Sequence, residues 1–402
     1  MKNKTFMIAL FLIYIYSLIH LNPSMGRLFV FALQIGFIML LVQIFLQYKT
    51  LNSRALCKNY LLLLMLITAW MLFITLFNST FGVGKYSISR IIQDFISMTV
   101  LASGFILTTS KNIESQIKKY IKVITTIALI SGFVALYYAD FSAGRAVNVW
   151  RPQYIWWGLL FPWSYVLIYI SVVENRSKKW RAIAYIITSL YFVLGVLFGK
   201  RIVFYELLVI IITILIAKKD RSKLFKLLKL ARIFVVLVIV YFISSLFIPD
   251  TNIITNVQQT ISRFTDLSIS SFDRMDEFLN VFNEYPITFI ITGSGLGSWH
   301  SGPGGINMHI GWLNYLYKGG LLFLILELWV FKLAIQTLFK SYNKMQLFLA
   351  ASVVSGYGFI LISSAWVASP QTISFSVMKF ALLCYIDKDY KSNKNKKSWI
   401  EG

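Results

Sequence analysis

From Phe6 onward the chain is a succession of apolar stretches, each close to the length that crosses a bilayer, separated by short polar and mostly basic breaks. About 20 consecutive, mostly apolar residues span the hydrocarbon as a helix. Such stretches lie at 6–21, 28–46, 60–77, 91–109, 121–139, 154–173, 182–198, 202–217, 232–248, 308–331, 346–363 and 369–386. In lipid a backbone must close its hydrogen bonds within the segment, which leaves helices as the form for runs of this kind. The expectation is an all-α, polytopic integral membrane protein of about 12 transmembrane helices. Composition agrees: 14% of the residues are charged and 57% hydrophobic, against about 25% charged in a soluble domain. A net charge of +23 in a soluble protein would point to nucleic acid. Here the bases are diluted into apolar runs, and that class is excluded.

Basic residues in short loops mark the cytoplasmic side of a membrane. Counted alternately along the chain, most of the 39 Lys and Arg fall on one side, in the segments around Lys2 and Lys4, 49–58, 111–122, 176–181, 218–232, 332–344 and 388–397. The remainder are Arg27, Lys85, Arg90, Arg145, Arg151, Lys200, Arg201, Arg263, Arg274, Lys318 and Lys379, which lie outward or inside spans. This orientation puts both termini in the cytoplasm. No small-residue cleavage site follows Lys2 and Lys4, so the first apolar run is expected to stay as a span.

The chain divides into residues 1–248 with spans one to nine, a large extracytoplasmic loop at 249–307, residues 308–386 with spans ten to twelve, and a basic cytoplasmic tail at 387–402. Phe272, Met275, Phe278, Leu279 and Phe282 recur in the loop at helical spacing, predicting one or two short amphipathic helices on the outer surface. The Lys- and Asn-rich tail after Asp387 reads as disordered. The fourth span carries Arg90 and Asp94 near its start.

Cys57 and Cys384 cannot make a disulfide framework, and no Cys/His cluster or HExxH has metal-ligand spacing. No cofactor is expected. Asp387-Lys388-Asp389 looks like an acidic metal pair but falls in the tail, and the outer segment from Asn22 to Arg27 has no carboxylate to hold a divalent ion.

Candidate chemistry lies in the outward cations. Lys200 and Arg201 occupy an abrupt outer turn, with Glu206 about one helical turn deeper as a partner to orient one of them. Their bland reading is headgroup snorkelling. Arg145 and Arg151 precede Trp156, Trp157 and Trp163, an interfacial aromatic belt or a site for headgroup or pyrophosphate. Arg263 and Arg274 lie in the large loop, Arg274 among Asp273, Asp276 and Glu277, where local ion pairing competes with any ligand. The run Gly293-Ser294-Gly295-Leu296-Gly297-Ser298-Trp299 allows a close backbone approach, yet it lacks the Gly-Lys-Ser/Thr end of a P-loop. His309 opens the tenth span, placed to exchange protons near neutral pH.

In this order the features resemble the O-antigen polymerase and O-antigen ligase superfamily of bacterial polysaccharide assembly. The likeness rests on Arg201 at a span start, Arg274 in the late outer loop, the run from Pro286 through Gly297, and His309 followed by Leu313, Gly319 and Gly320; Arg145 with Pro152 matches an earlier outer-loop arginine. Many relatives have Ser where this chain has Lys200, and Asn or Ser where it has Ile310. The resemblance implies metal-independent glycosyl transfer at the outer face, with a polyprenyl-diphosphate-linked oligosaccharide as donor. It assigns His309, Arg201 and Arg274 to catalysis and Arg145, Lys200, Arg263, Gly295, Gly297 and Trp299 to substrate binding, with Trp299 and Tyr285 as stacking surfaces for sugars. Implied partners are the lipid-linked oligosaccharide, membrane lipid, and a flippase and chain-length regulator of the same pathway. Polymerase is favoured over a ligase that transfers to a lipid core. The alternative of another class is a lipid-linked oligosaccharide transporter; neither related halves nor broken helices are evident in the sequence.

Overall fold

The computed structural model describes residues 39, 42, 55–105, 112–137, 163–197, 202–218, 279–285, 288–301, 311–341, 343–362 and 373–398. The expected spans at 6–21, 28–46 and 232–248, except for Met39 and Val42, lie outside them, as do Arg145, Arg151, Lys200, Arg201, Arg263, Arg274 and His309. The described chain is mostly helical. In order the elements are α1 (Ala55–Thr80), β1 (Lys85–Tyr86), α2 (Ile88–Ser103), α3 (Ile113–Tyr137), α4 (Trp163–Val172), α5 (Lys178–Leu197), α6 (Ile202–Lys218), α7 (Phe289–Thr292), β2 (Ser298–Trp299), α8 (Leu313–Lys340), α9 (Lys344–Ile362) and α10 (Ile373–Ser398).

Two of them, α1 with 26 residues and α8 with 28, are long and apolar enough to cross a membrane. Both bury one face and expose the other. On α1, Tyr60, Leu61, Leu64 and Met71 are buried while Leu63, Leu66, Phe73 and Leu76 are exposed; on α8, Phe323, Leu326 and Val330 are buried while Leu322, Ile325 and Leu328 are exposed. Apolar residues on both faces are what a helix needs if its outer side is to face hydrocarbon.

The helices pack into one bundle. α9 lies against α6, α8 and α10; α1 packs on α2, α8 and α10; α3 and α5 pair at the side. Its centre holds a charged knot. Lys379 of α10 donates to both carboxylate oxygens of Glu327 on α8 at 3.1 and 2.9 Å, and the hydroxyls of Tyr60 and Tyr357 donate to the same carboxylate at 2.8 and 2.7 Å. Lys379 is fully buried and also donates to the Tyr60 oxygen at 2.8 Å. A buried ion survives away from water only when paired and hydrogen-bonded in this way. A second buried acid, Glu206 of α6, accepts from the hydroxyls of Tyr191 and Ser164, and Tyr191 stacks on Trp163 at 3.6 Å between ring centres.

At the end of the bundle where α1 begins, one expectation changes, that of a disordered tail, and two contacts tie α1 to α10. The two cysteines meet: the Sγ atoms of Cys57 and Cys384 are 2.6 Å apart, and Cys57 donates to the Phe380 carbonyl at 3.4 Å. Asp387 accepts the Leu56 amide at 2.9 Å, capping the start of α1, which has no acid of its own in its first turn. α10 runs on to Ser398, so the segment read as a disordered tail is helical; an unbroken run without Gly or Pro lets the preceding span propagate.

Candidate functional site

At the opposite end of the bundle the glycine run docks onto a break in α8. Gly320 has φ 68° and ψ −166°, a conformation open essentially to glycine alone. The break releases the carbonyls of Tyr317 and Lys318 from the helix ladder, and the loop satisfies them: Ser294 N donates to Tyr317 O at 2.7 Å and Gly295 N to Lys318 O at 3.0 Å. Gly293 and Gly320 approach so closely that a Cβ on either would strike the other's backbone. Ser294 Oγ adds a bond to Tyr317 O at 2.6 Å, and Thr75 of α1 donates to Leu296 O at 3.0 Å. The sequence shows no broken helix in this span; the structure does, seven residues after its start.

A buried ion pair locks the next turn of the loop. Lys318 Nζ donates to Asp94 Oδ2 at 2.9 Å and to the Ser298 carbonyl at 2.8 Å, and Gly297 N donates to the same Asp94 oxygen at 2.8 Å. Both ionic side chains are withdrawn from solvent, 0% exposed for Lys318 and 6% for Asp94. At Gly297 a Cβ would meet the Ile91 backbone of α2, and at Gly295 it would meet Thr75 and Met71 of α1. What these two glycines bring close is therefore protein: the loop threads between α1, α2 and α8.

Beyond the glycines the loop turns outward as β2, which pairs antiparallel with β1 in the register Lys85 to Trp299 and Tyr86 to Ser298. Trp299 is half-buried. The Arg90 guanidinium sits 4.9 Å and the Lys85 ammonium 5.0 Å from its ring centre, an arrangement stabilised by the quadrupole of the indole. Lys85 also pairs with Glu284 at 3.5 Å and donates to Ser301 Oγ. Glu284 accepts the Ser301 amide at 2.9 Å. Burial alone would raise this carboxyl, but the amide and hydroxyl of Ser301 and the Lys85 charge overrule it and hold it below the usual glutamate value. Tyr285 is buried, donates to the Trp299 carbonyl at 3.1 Å, and has its phenol pushed up mainly by burial. Tyr86 donates to the Ser294 carbonyl at 2.5 Å.

Several of the residues expected at a site now have a place. Tyr285 is a strut under the loop with its ring packed against Tyr86 and Tyr317, not an open stacking surface for a sugar. Trp299 is reachable, but Arg90 and Lys85 cover its ring. The helical stretch at 279–284 exists, yet it buries Val281 and leaves Leu279 half-exposed, turning its apolar face away from the expected one. Among the described residues Glu206 accepts from Tyr191 and Ser164; Lys200 and Arg201, the cations expected beside it, lie outside them. His300 is buried edge-on to Tyr317. Lys85, Arg90, Asp94 and Lys318 stood out in the sequence as charges outside the basic side or inside spans, but were given no role at a site. The available signal was opposite charge inside spans: Arg90 and Asp94 one helical turn apart, and Lys318 within the tenth span.

The chain matches no protein-family model and no curated protein.

Proposed function

We propose that this protein is a polysaccharide polymerase of the bacterial cytoplasmic membrane, with about 12 spans, that joins polyprenyl-diphosphate-linked oligosaccharide repeat units at the outer face. The observation that carries the reading is the docking of the Gly293–Trp299 loop on the Gly319–Gly320 break. Two sequence segments on which the resemblance rests, the glycine run and the span that follows His309, are there bonded into one rigid unit by Ser294 and Gly295. Gly295 and Gly297 shape that unit, and Trp299 leads from it towards the outside.

The chemistry is metal-independent. An acceptor hydroxyl attacks the anomeric carbon of the donor sugar with inversion; the new C–O bond forms as the bond to the phosphate oxygen breaks, and polyprenyl diphosphate leaves with the electron pair. His309 takes the hydroxyl proton. Arg201 and Arg274, together with Arg145, Lys200 and Arg263, hold the diphosphate as its negative charge grows, the work that a metal does elsewhere.

The test is chain growth by the purified protein from a lipid-linked repeat unit in the presence of a chelator. His309→Ala, Arg201→Ala and Arg274→Ala are each expected to abolish transfer without lowering membrane levels. No product from a verified native repeat unit overturns the polymerase reading; transfer only to a lipid core makes the protein a ligase. A second reading, transport of the lipid-linked oligosaccharide, draws on the broken α8 and on the Glu327–Lys379 pair inside the bundle. Movement of intact donor across vesicles without chain growth would establish it.

A further inference from the structure

The cation–aromatic stack holds more positive charge than it neutralises. The described charges in and directly behind it are Lys85, Arg90 and Lys318 against Asp94 and Glu284. Asp94 lies one turn along α2 from Arg90 and would be its natural partner. Its Oδ2 is instead occupied by Lys318 Nζ at 2.9 Å and Gly297 N at 2.8 Å. Glu284 Oε1 is taken by Ser301 and Lys85. Among the described residues neither carboxylate pairs with Arg90, and its Nη1 is buried with no hydrogen-bond partner. A guanidinium nitrogen shut away from water in this state wants an anion. The backbone amide of Arg90 is already engaged by Ser87, the N-cap of α2, so the residue is fixed at the first turn of a helix whose dipole also favours negative charge.

We infer that Arg90, with Lys85 beside it on Trp299, forms a phosphate-binding subsite that takes the diphosphate of a lipid-borne substrate. The planar fork of Arg90 suits two phosphate oxygens, while Lys85, 44% exposed, offers a point charge at the rim. Lys318 lies behind the stack, spent on Asp94, and serves the site by positioning the loop. The inference rests on the membrane glycosyl-transfer reading for the identity of the lipid but not for the binding of phosphate.

Binding of inorganic pyrophosphate to the purified full chain, measured by calorimetry without acceptor or turnover, tests it. Arg90→Gln is expected to weaken binding about tenfold or more and Lys85→Gln several-fold, while Lys118→Gln, an exposed cation on α3, leaves it unchanged. Because Lys85 is exposed, Lys85→Gln remains informative if Arg90→Gln fails to fold. Wild-type affinity in a folded Arg90→Gln protein, or in Lys85→Gln, overturns the subsite. In nanodiscs of phosphatidylcholine, polyprenyl diphosphate is expected to displace pyrophosphate where phosphatidylglycerol does not. Equal displacement by phosphatidylglycerol makes this a headgroup site and overturns the assignment to the diphosphate. Binding that depends on Arg90 in a protein without polymerase activity would leave the subsite standing and remove only the polymerase reading.

Discussion

Replacing Lys318 by Met keeps an unbranched side chain one atom shorter and deletes its charge, leaving the Asp94 carboxylate buried with the Gly297 amide as its remaining described donor. The substitution removes two donations by the Lys318 ammonium, to Asp94 at 2.9 Å and to the Ser298 carbonyl at 2.8 Å. Were these ordinary interhelical hydrogen bonds in a membrane protein, each would contribute about 0.6 kcal/mol. Stranding a buried charge is the larger effect and costs about 3–5 kcal/mol. The two magnitudes separate in a double-mutant cycle. Asp94→Asn is neutral and still accepts from Gly297, so Asp94→Asn/Lys318→Met is expected to recover about half or more of the stability that Lys318→Met alone removes. The assay is reversible unfolding in mixed micelles by titration with a denaturing detergent, followed by circular dichroism. Hydrogen exchange at the Gly297 amide reports the same event locally, speeding up in the single variant. A destabilisation of less than about 1 kcal/mol for Lys318→Met, or a double variant no more stable than the single, would show that the pair does not hold the loop by charge.

Two further outcomes follow from other parts of the bundle. Mild oxidation should link Cys57 to Cys384 within one chain, welding α1 to α10; persistence of both free thiols after treatment, read by alkylation and peptide mapping, counts against their apposition. Glu284 has a carboxyl held below its ordinary value, so its contribution to stability is fully present above the ordinary glutamate range and is lost as pH falls through the lower, folded-state value. Exchange protection of the Ser301 amide should therefore persist as pH falls through the ordinary glutamate range, and Glu284→Gln should remove that acid-side loss; opening at the ordinary glutamate pH would contradict the clasp.

The parts of the fold that the sequence made legible are those set by length and hydropathy. Runs at 60–77, 202–217 and 346–363 reappear as α1, α6 and α9 with shifted ends, since a sustained apolar run in a bilayer has little choice but helix. Tertiary pairing was not legible. Lys318 and Asp94 are 224 positions apart, and Lys379 and Tyr60 are 319 apart, separations that no local period encodes. The same holds for the glycine run. Its composition announced a close approach but not to what, and the answer, α1, α2 and the broken α8, depends on three segments distant in the chain. Leu279 fell on the expected apolar face by spacing, yet Val281 and Tyr285 are buried instead, because the floor beneath them is built by Phe289, Leu313 and Tyr317. His309, Arg201 and Arg274 lie outside the described residues, so the transfer assay, and not the geometry, decides their roles.

The charged knot around Glu327 has a consequence for how the chain is made. Synthesis runs from the amino end, so Tyr60 is made long before its acceptor exists, and Glu327 arrives before Lys379 has been translated. In that interval the carboxylate waits without its counter-ion, an unfavourable state for a group destined for the buried core. The knot closes only when α10 joins α1, α8 and α9. Assembly of the core is thus timed by a late helix, and a nascent chain stopped short of Lys379 would carry a marker of its own incompleteness, an unpaired acid inside the bundle.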